Sequence, residues 1–264
     1  MYEAIKEQIR NDNLILFIGA GVPATLGIPT WGELIDKISD ELEYDSNIFK
    51  LYGDYLSLAE YYKIKKGSIG ELRYWMTNNW DVSDEALKAS KIYHYITTLN
   101  CRLIYTTNYE HSIERAFNLN DKPYKRIVDV SDLVGLSPEL VQIVKFHGDL
   151  VNDNSIVLTE EDYFERLEFE SPMDIKLRAD MLGKSILFIG YSMSDINMRL
   201  LIYKLDKLWK STNQNGQRPK SFIFLSNHNP VQEEVFKHRG IEPVVGTEID
   251  PQKSLEQFLY ELTR

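Results

Sequence analysis

Five consecutive apolar residues, Leu14 to Ile18, run directly into Gly19-Ala20-Gly21. A run with no polar alternation suits a strand buried on both faces, the condition of a strand inside a parallel sheet. Gly19 and Gly21 open backbone angles closed to other residues and let the main chain approach a ligand closely. Gly27-Ile28-Pro29-Thr30-Trp31 then leads towards a helix. A strand that ends in glycines before a helix can present backbone N–H groups to a phosphate. The same residues also make an ordinary tight turn between strand and helix, and the segment alone does not choose. It is not a Walker A loop, because no Gly-Lys-Ser/Thr follows.

Further apolar runs recur at Arg102–Thr106, Gln142–Phe146, Ser185–Ile189 and Ser221–Leu225, with shorter strand candidates at Ser155–Leu158 and Glu242–Val245. Between them the apolar spacing turns helical. Ile5 and Ile9 mark a helix that Asn11-Asp12-Asn13 ends; Trp31, Leu34, Ile35, Ile38 and Leu42 mark another. Ile113, Ala116 and Phe117 predict a helix after Asn108, and further helices fit Glu160–Leu167, Pro172–Leu182, Asp195–Trp209 and Pro251–Leu262. Ser194 is the expected cap of the Asp195–Trp209 helix. Asn213–Pro219 reads as a polar loop. Strands alternating with helices predict an α/β fold: a mostly parallel, Rossmann-like sheet with helices on both faces. From Tyr44 to Tyr95 aromatic residues are frequent and no strand signal appears. This stretch predicts a helical lobe inserted into a single domain spanning 1–264 and placed over the pocket mouth. Its aromatics are expected to form the lobe's core rather than a stacking platform for nucleic acid.

Composition narrows the function classes. The formal net charge is −10, which disfavours general binding to nucleic acid or anionic membrane. No apolar run approaches the roughly 20 residues that span a bilayer, and Met1–Glu7 reads as a charged helix, not a signal peptide. The one cysteine, Cys101, excludes an internal disulfide framework and any zinc site built from several cysteines. A cytoplasmic address is expected.

In parallel sheets ligands bind outside the carboxyl ends of the strands. Polar or glycine residues gather there: Gly19 and Gly21, Asn108, His147, Gly190 and Ser192, and Asn227. Each also has an ordinary structural use as a turn former or helix cap. His147 suits proton transfer near neutral pH; it also suits a purely structural hydrogen bond at a strand end. Asn108 carries donors and an acceptor that can orient a ribose hydroxyl or a water, or it can cap the helix that follows.

Taken together these motifs resemble the sirtuin family. Gly19-Ala20-Gly21 with Gly27-Ile28-Pro29 is similar to the sirtuin Gly-Ala-Gly…Gly-Ile-Pro in spacing and composition, and Asn108 falls at the asparagine of the Gln-Asn-x-Asp motif. His147-Gly148 resembles the catalytic His-Gly, Gly190-Tyr191-Ser192 the Gly-Thr-Ser loop, and Asn227 the asparagine that binds the adenosine ribose. The run Gly190–Asp195 looks especially like bacterial sirtuin-like domains used in antiphage defence. The departures are specific. Thr30-Trp31-Gly32 stands where deacylases have Asp-Phe-Arg, Thr107 and Glu110 flank Asn108 in place of glutamine and aspartate, and Pro23 stands where many sirtuins have serine. Deacylases carry a four-cysteine zinc module after the catalytic histidine, whereas no cysteine lies between His147 and Gly190.

The resemblance implies NAD+ as substrate and hydrolysis to nicotinamide and ADP-ribose, with no metal. It implies His147 as general base and Asn108 as the residue that holds the ribose or a water. Gly19, Ala20, Gly21, Thr30, Trp31, Gly190, Ser192, Asp195 and Asn227 are the expected NAD+ contacts. Cyclisation remains open as an outcome, and a protein deacylase and a non-catalytic NAD+ or ADP-ribose sensor are the competing readings. A free NAD+ hydrolase would be toxic, and no separate sensor segment is visible. A homo-oligomer is therefore expected, controlled with a separately encoded, ring-forming ATPase as the possible partner.

Overall fold

The computed structural model describes every residue except 138, 152–154, 169 and 212–217. The described residues form seven strands: β1 (Leu14–Ile18), β2 (Leu103–Thr106), β3 (Tyr124–Ile127), β4 (Val141–Lys145), β5 (Ser185–Ile189), β6 (Ser221–Leu225) and β7 (Ile241–Val245). They form one sheet in the order β3-β4-β2-β1-β5-β6-β7, and every pairing is parallel. The α/β class expected from the alternating pattern is the class observed.

The unbroken apolarity of β1 has a direct cause. β1 lies between β2 and β5, and all five of its residues are buried, as are all five of β5. Successive side chains point to opposite faces. Leu14, Leu16 and Ile18 join a core with the helices Tyr2–Arg10, Lys91–Thr98, Ser112–Leu119 and Pro251–Thr263. Ile15 and Phe17 join a second core with the helices Pro172–Gly183, Ile196–Ser211 and Pro230–His238. Burying one such side chain contributes about 1.5–3 kcal/mol, so a polar residue is disfavoured at every position of this strand.

The edges read differently. β3 is Tyr-Lys-Arg-Ile with only Ile127 buried, and it gives no apolar run in the sequence. β7 holds Pro243, which an edge strand tolerates because its outer side has no ladder to complete. Ser155–Leu158 is not a strand of the sheet. Its apolarity comes instead from Ile156 and Leu158, which pack into a third core. Of the polar loop expected at Asn213–Pro219, residues 213–217 lie outside the described residues.

Between β1 and β2 the described chain forms only helices and turns, from the short 3-10 turn Pro23–Leu26 through Trp31–Glu41, Ser46–Phe49, Tyr55–Lys66, Gly70–Asn79, Asp84–Ala89 and Lys91–Thr98. Asp54, Ser83 and Ser90 cap three of these with side-chain oxygens, and Thr30 and Glu33 form a reciprocal capping box at another. The third core gathers Leu34, Ile38, Phe49, Leu58, Tyr62, Leu72 and Met76. It also takes in Tyr109 and Leu150, from the loops that leave β2 and β4. These helices therefore sit on the carboxyl end of the sheet. Leu87, Ile92, Tyr93 and Ile96 instead pack into the first core, against the sheet face.

The order places a topological switch point between β1 and β5, since the chain builds β2, β3 and β4 on one side of β1 and β5, β6 and β7 on the other. At that point two loops touch backbone to backbone. The Gly19 N–H donates to the Ile189 carbonyl at 3.0 Å and the Gly21 N–H to the Gly190 carbonyl at 2.8 Å. A Cβ on Gly19 would lie 2.5 Å from Gly190 O and 2.8 Å from Tyr191 Cα. Gly190 itself has φ +57°, and a Cβ there would lie 2.6 Å from Val22 N. We predict that Gly19→Ala destabilises the protein by about 1–3 kcal/mol, the usual range for forced overpacking. Urea unfolding checks this, and a stability equal to the parent's would refute the packing argument.

Candidate functional site

Two neighbouring strands deliver the polar candidates. Asn108 lies two residues beyond β2 and His147 two beyond β4, and β2 and β4 are paired. The Phe146 N–H donates to the Thr106 carbonyl at 2.8 Å, which extends the register to the doorstep of His147.

Asn108 is held from both ends. Its backbone N–H donates to Thr106 Oγ1 at 3.0 Å, and its Nδ2 donates to the Gly19 carbonyl at 3.2 Å. Thr106 Oγ1 in turn donates to the Ile18 carbonyl at 2.9 Å. The side chain is thus buried against the glycine turn of β1. It does not cap the following helix, which starts at Ser112 with no side-chain cap.

His147 is 3% exposed. Its ring stacks on Phe146, with centroids 5.5 Å apart, and meets the edge of Tyr163 at 5.3 Å. Nε2 lies 3.1 Å from Asp195 Oδ2, at ion-pair distance but off the line of a well-formed hydrogen bond. Nδ1 lies 3.4 Å from the Tyr163 hydroxyl. Asp195 is also the cap of the helix Ile196–Ser211: its Oδ1 accepts from the Asn197 and Met198 N–H groups at 2.8 and 3.1 Å. Ser194, the expected cap, instead shares a hydrogen bond with Ser192 at 2.8 Å. A carboxylate accepts from a helix terminus more strongly than a hydroxyl does. Burial raises the Asp195 carboxyl, but contact with His147, the His147 charge and the Met198 N–H outweigh it and hold the group below its ordinary value. Burial, then the Asp195 charge, pushes the Tyr163 and Tyr191 hydroxyls well up, so both stay protonated.

The remaining expected NAD+ contacts lie on the loops at the same end of the sheet. Gly19 and Gly21 meet Gly190 directly. Ala20, Ser192 and Asn227 are exposed. Thr30 opens the helix Trp31–Glu41, and its N–H and hydroxyl both donate to Glu33, at 2.7 and 2.8 Å. Trp31 stacks on Tyr55 at 6.4 Å. Three residues given no role from the sequence complete the surroundings. The Tyr191 ring packs on Phe17 at 4.9 Å and adjoins Gly19. Tyr163 edges His147. Arg166 donates to the Phe146 carbonyl at 2.6 Å, lies over the Phe146 ring and pairs with buried Asp174. Tyr163 and Arg166 follow His147 by more than a dozen residues, with no motif to flag them.

Among the described residues, one group could hold a metal ion: His111, Glu114 and Asp149, with ligand atoms within 4.8 Å of one another. The chain's own cations already reach it, Arg126 at 3.2 Å from Asp149 and Lys145 at 3.5 Å from Glu114.

A doubly wound parallel sheet with a buried polar cluster at its switch point is the architecture of an α/β protein that takes a ligand at the strand ends. More specifically, the chain belongs to the SIR2-like domain family, whose model matches residues 102–244, more than half of its length. Curated relatives include NAD(+) hydrolase ThsA of Enterococcus faecium, 31% identical over 206 residues, covering 76% of this chain and 42% of the relative. NAD(+) hydrolase ThsA of Cytobacillus dafuensis is 29% identical over 222 residues, 84% of this chain and 43% of the relative. Defense-associated sirtuin 2 of Bacillus subtilis is 26% identical over 247 residues, 90% of this chain and 23% of the relative. The chain thus spans about two fifths of the length of the hydrolases it matches.

The lowered Asp195 value carries a pH signature. A carboxyl depressed in the fold contributes stability above its unfolded pKa, about 3.9, and loses it as pH falls through the lower folded value. Asp195→Asn keeps a capping oxygen and removes the charge. We expect it to be less stable than the parent at pH 6, with the difference shrinking towards pH 3. Urea titrations across that range check this, and a difference independent of pH would count against the assignment.

Proposed function

We propose that the chain hydrolyses NAD+ to nicotinamide and ADP-ribose, and that it depletes NAD+ as an antiphage effector. The observation that carries this reading is the buried His147–Asp195 pair beside Asn108 at the switch point of a SIR2-like chain. The names of the relatives support it.

In this reading the glycosidic bond between ribose C1′ and the nicotinamide nitrogen breaks, and its electron pair leaves with the neutral base. Water bonds to the C1′ cation and gives up a proton. Asp195 lies at ion-pair distance from Nε2, so its charge favours the His147 tautomer with the proton there and leaves Nδ1 as the base. Nδ1 faces the Tyr163 hydroxyl, which either yields its place to the water or relays the proton. Asp195 then stabilises the imidazolium. Its carboxylate is engaged within the chain, so we assign it to orienting His147 rather than to touching NAD+. Asn108, fixed on the Gly19 carbonyl, orients the ribose or the water, and Gly19, Ala20, Gly21, Gly190, Ser192 and Asn227 line the path of the dinucleotide. Thr30 and Trp31 belong to the mouth under the helices.

The reading extends to organisation: one domain over 1–264 with the helical lobe at 44–95, no metal, a cytoplasmic site of action, and a homo-oligomer under the control of a partner ATPase. No described helix is long and apolar enough to cross a membrane.

The test is nicotinamide release from NAD+ by the purified chain, alone and with the products of neighbouring genes. We expect His147→Ala and Asn108→Ala each to lower the rate, His147→Ala by about 10²–10⁴-fold, the range for loss of a general base. Release that persists unchanged in both variants would refute the site, and no release under any condition would refute the reaction.

A further inference from the structure

Two residues beyond His147 the chain places a second buried carboxylate. Gly148 has φ +89°, and a Cβ there would overlap the Ser155 carbonyl, so the turn after His147 has one shape. The turn ends at Asp149, whose side chain is 1% exposed. His111 Nε2 lies 2.9 Å from both Asp149 oxygens, and Arg126 Nη1, on edge strand β3, lies 3.2 Å from Oδ2. The Val151 N–H donates to Oδ1 at 2.8 Å, and the Asp149 N–H donates to Ser155 Oγ at 3.0 Å.

His111 stands three residues after Asn108, in the loop that leaves β2. The Asp149–His111 contact therefore ties the loop bearing His147 to the loop bearing Asn108. Two further links run beside it: Lys145 Nζ donates to the Glu110 carbonyl, and the Leu150 N–H donates to the Tyr109 carbonyl at 3.4 Å. Asp149–His111 joins the two loops side chain to side chain. The carboxylate has no role in the chemistry above and is nonetheless buried. A buried charge is costly to desolvate, and its ion-pair and hydrogen-bond partners must offset that cost.

We propose that Asp149 and His111 are positioning residues, a clamp that sets the distance and orientation between Asn108 and His147. Arg126 braces the carboxylate from the sheet edge, while Lys145, paired with Glu114 and touching the Glu110 carbonyl, holds the His111 side of the loop. The proposal rests on the catalytic reading of Asn108 and His147 for its consequence, but the clamp itself is measurable without turnover.

The experiment is NMR of the five histidines in the ¹⁵N-labelled full chain, at one pH, in parallel with nicotinamide release. We expect His111→Ala to move the His147 imidazole resonances and leave those of His94, His228 and His238 in place. His111→Gln keeps an N–H at similar reach and should leave His147 as in the parent. Asp149→Asn, which keeps the shape and removes the charge, should displace His147 as His111→Ala does. Nicotinamide release should fall by about 10²-fold in His111→Ala, the scale of an ångström-sized misplacement, and recover in His111→Gln. A His147 signal unmoved in both His111→Ala and Asp149→Asn overturns the clamp. Displacement of all the histidines together also overturns it, since that is general loss of structure. No release by the parent chain would instead count against the proposed reaction and leave the NMR result to decide the clamp.

Discussion

Two strand ends in backbone contact govern the rest of the structure. β1 and β5 finish side by side in the middle of the sheet, and the turns that follow them interlock through Gly19, Gly21 and Gly190. Side chains are excluded at the contact, because a Cβ on any of the three would come within about 3 Å of the opposing main chain. The closeness has two effects. It commits the Gly19 and Gly21 N–H groups to carbonyls of the β5 end, so these donors brace the crevice. It also leaves the Gly19 carbonyl to receive the Asn108 amide, which carries the order of the glycine contact across β1 to β2.

From that contact the polar residues form a connected chain: Ile18 and Gly19 to Thr106 and Asn108, the loop after β2 to Asp149, and the β4 end to His147, Tyr163 and Asp195. Burial makes each link matter, since an unpaired polar group away from water costs on the order of 1–3 kcal/mol. Asp195 serves two neighbours, the helix terminus behind it and the imidazole in front, so helix position and histidine orientation are set by one carboxylate. Arg166 does the same for the backbone of Phe146, with buried Asp174 behind it. The helices between β1 and β2 close over this end by drawing Tyr109 and Leu150 into their own core.

Much of this was legible from residue order. The central strands are apolar without interruption because both faces are covered, and a one-dimensional pattern records that directly. The strand-end candidates Asn108 and His147 fall on adjacent loops at the same end because parallel strands bring their carboxyl ends together. Local apolarity and local capping preference point away from the fold at three places. Ser155–Leu158 is apolar because Ile156 and Leu158 fill a core, not because it joins the sheet. β3 carries no signal in the sequence because an edge strand with only Ile127 buried has no need of an apolar run. Ser194 has the residue type of a cap, yet the carboxylate one residue later takes the helix terminus and lies against the histidine.

The sequence by itself determined the class of fold, the central strands and the set of polar residues at their ends, since periodicity and glycine placement act over a few residues. Tertiary structure alone decided which of those residues meet. Strand order puts β4 beside β2 although β3 intervenes along the chain, and β5 beside β1 although β2, β3 and β4 do. That order sets Asp195 against His147, Tyr163 on its other nitrogen and His111 against Asp149, contacts between residues up to 48 positions apart. No local pattern encodes such pairs, because their energy depends on burial and distance that exist only once the sheet has closed.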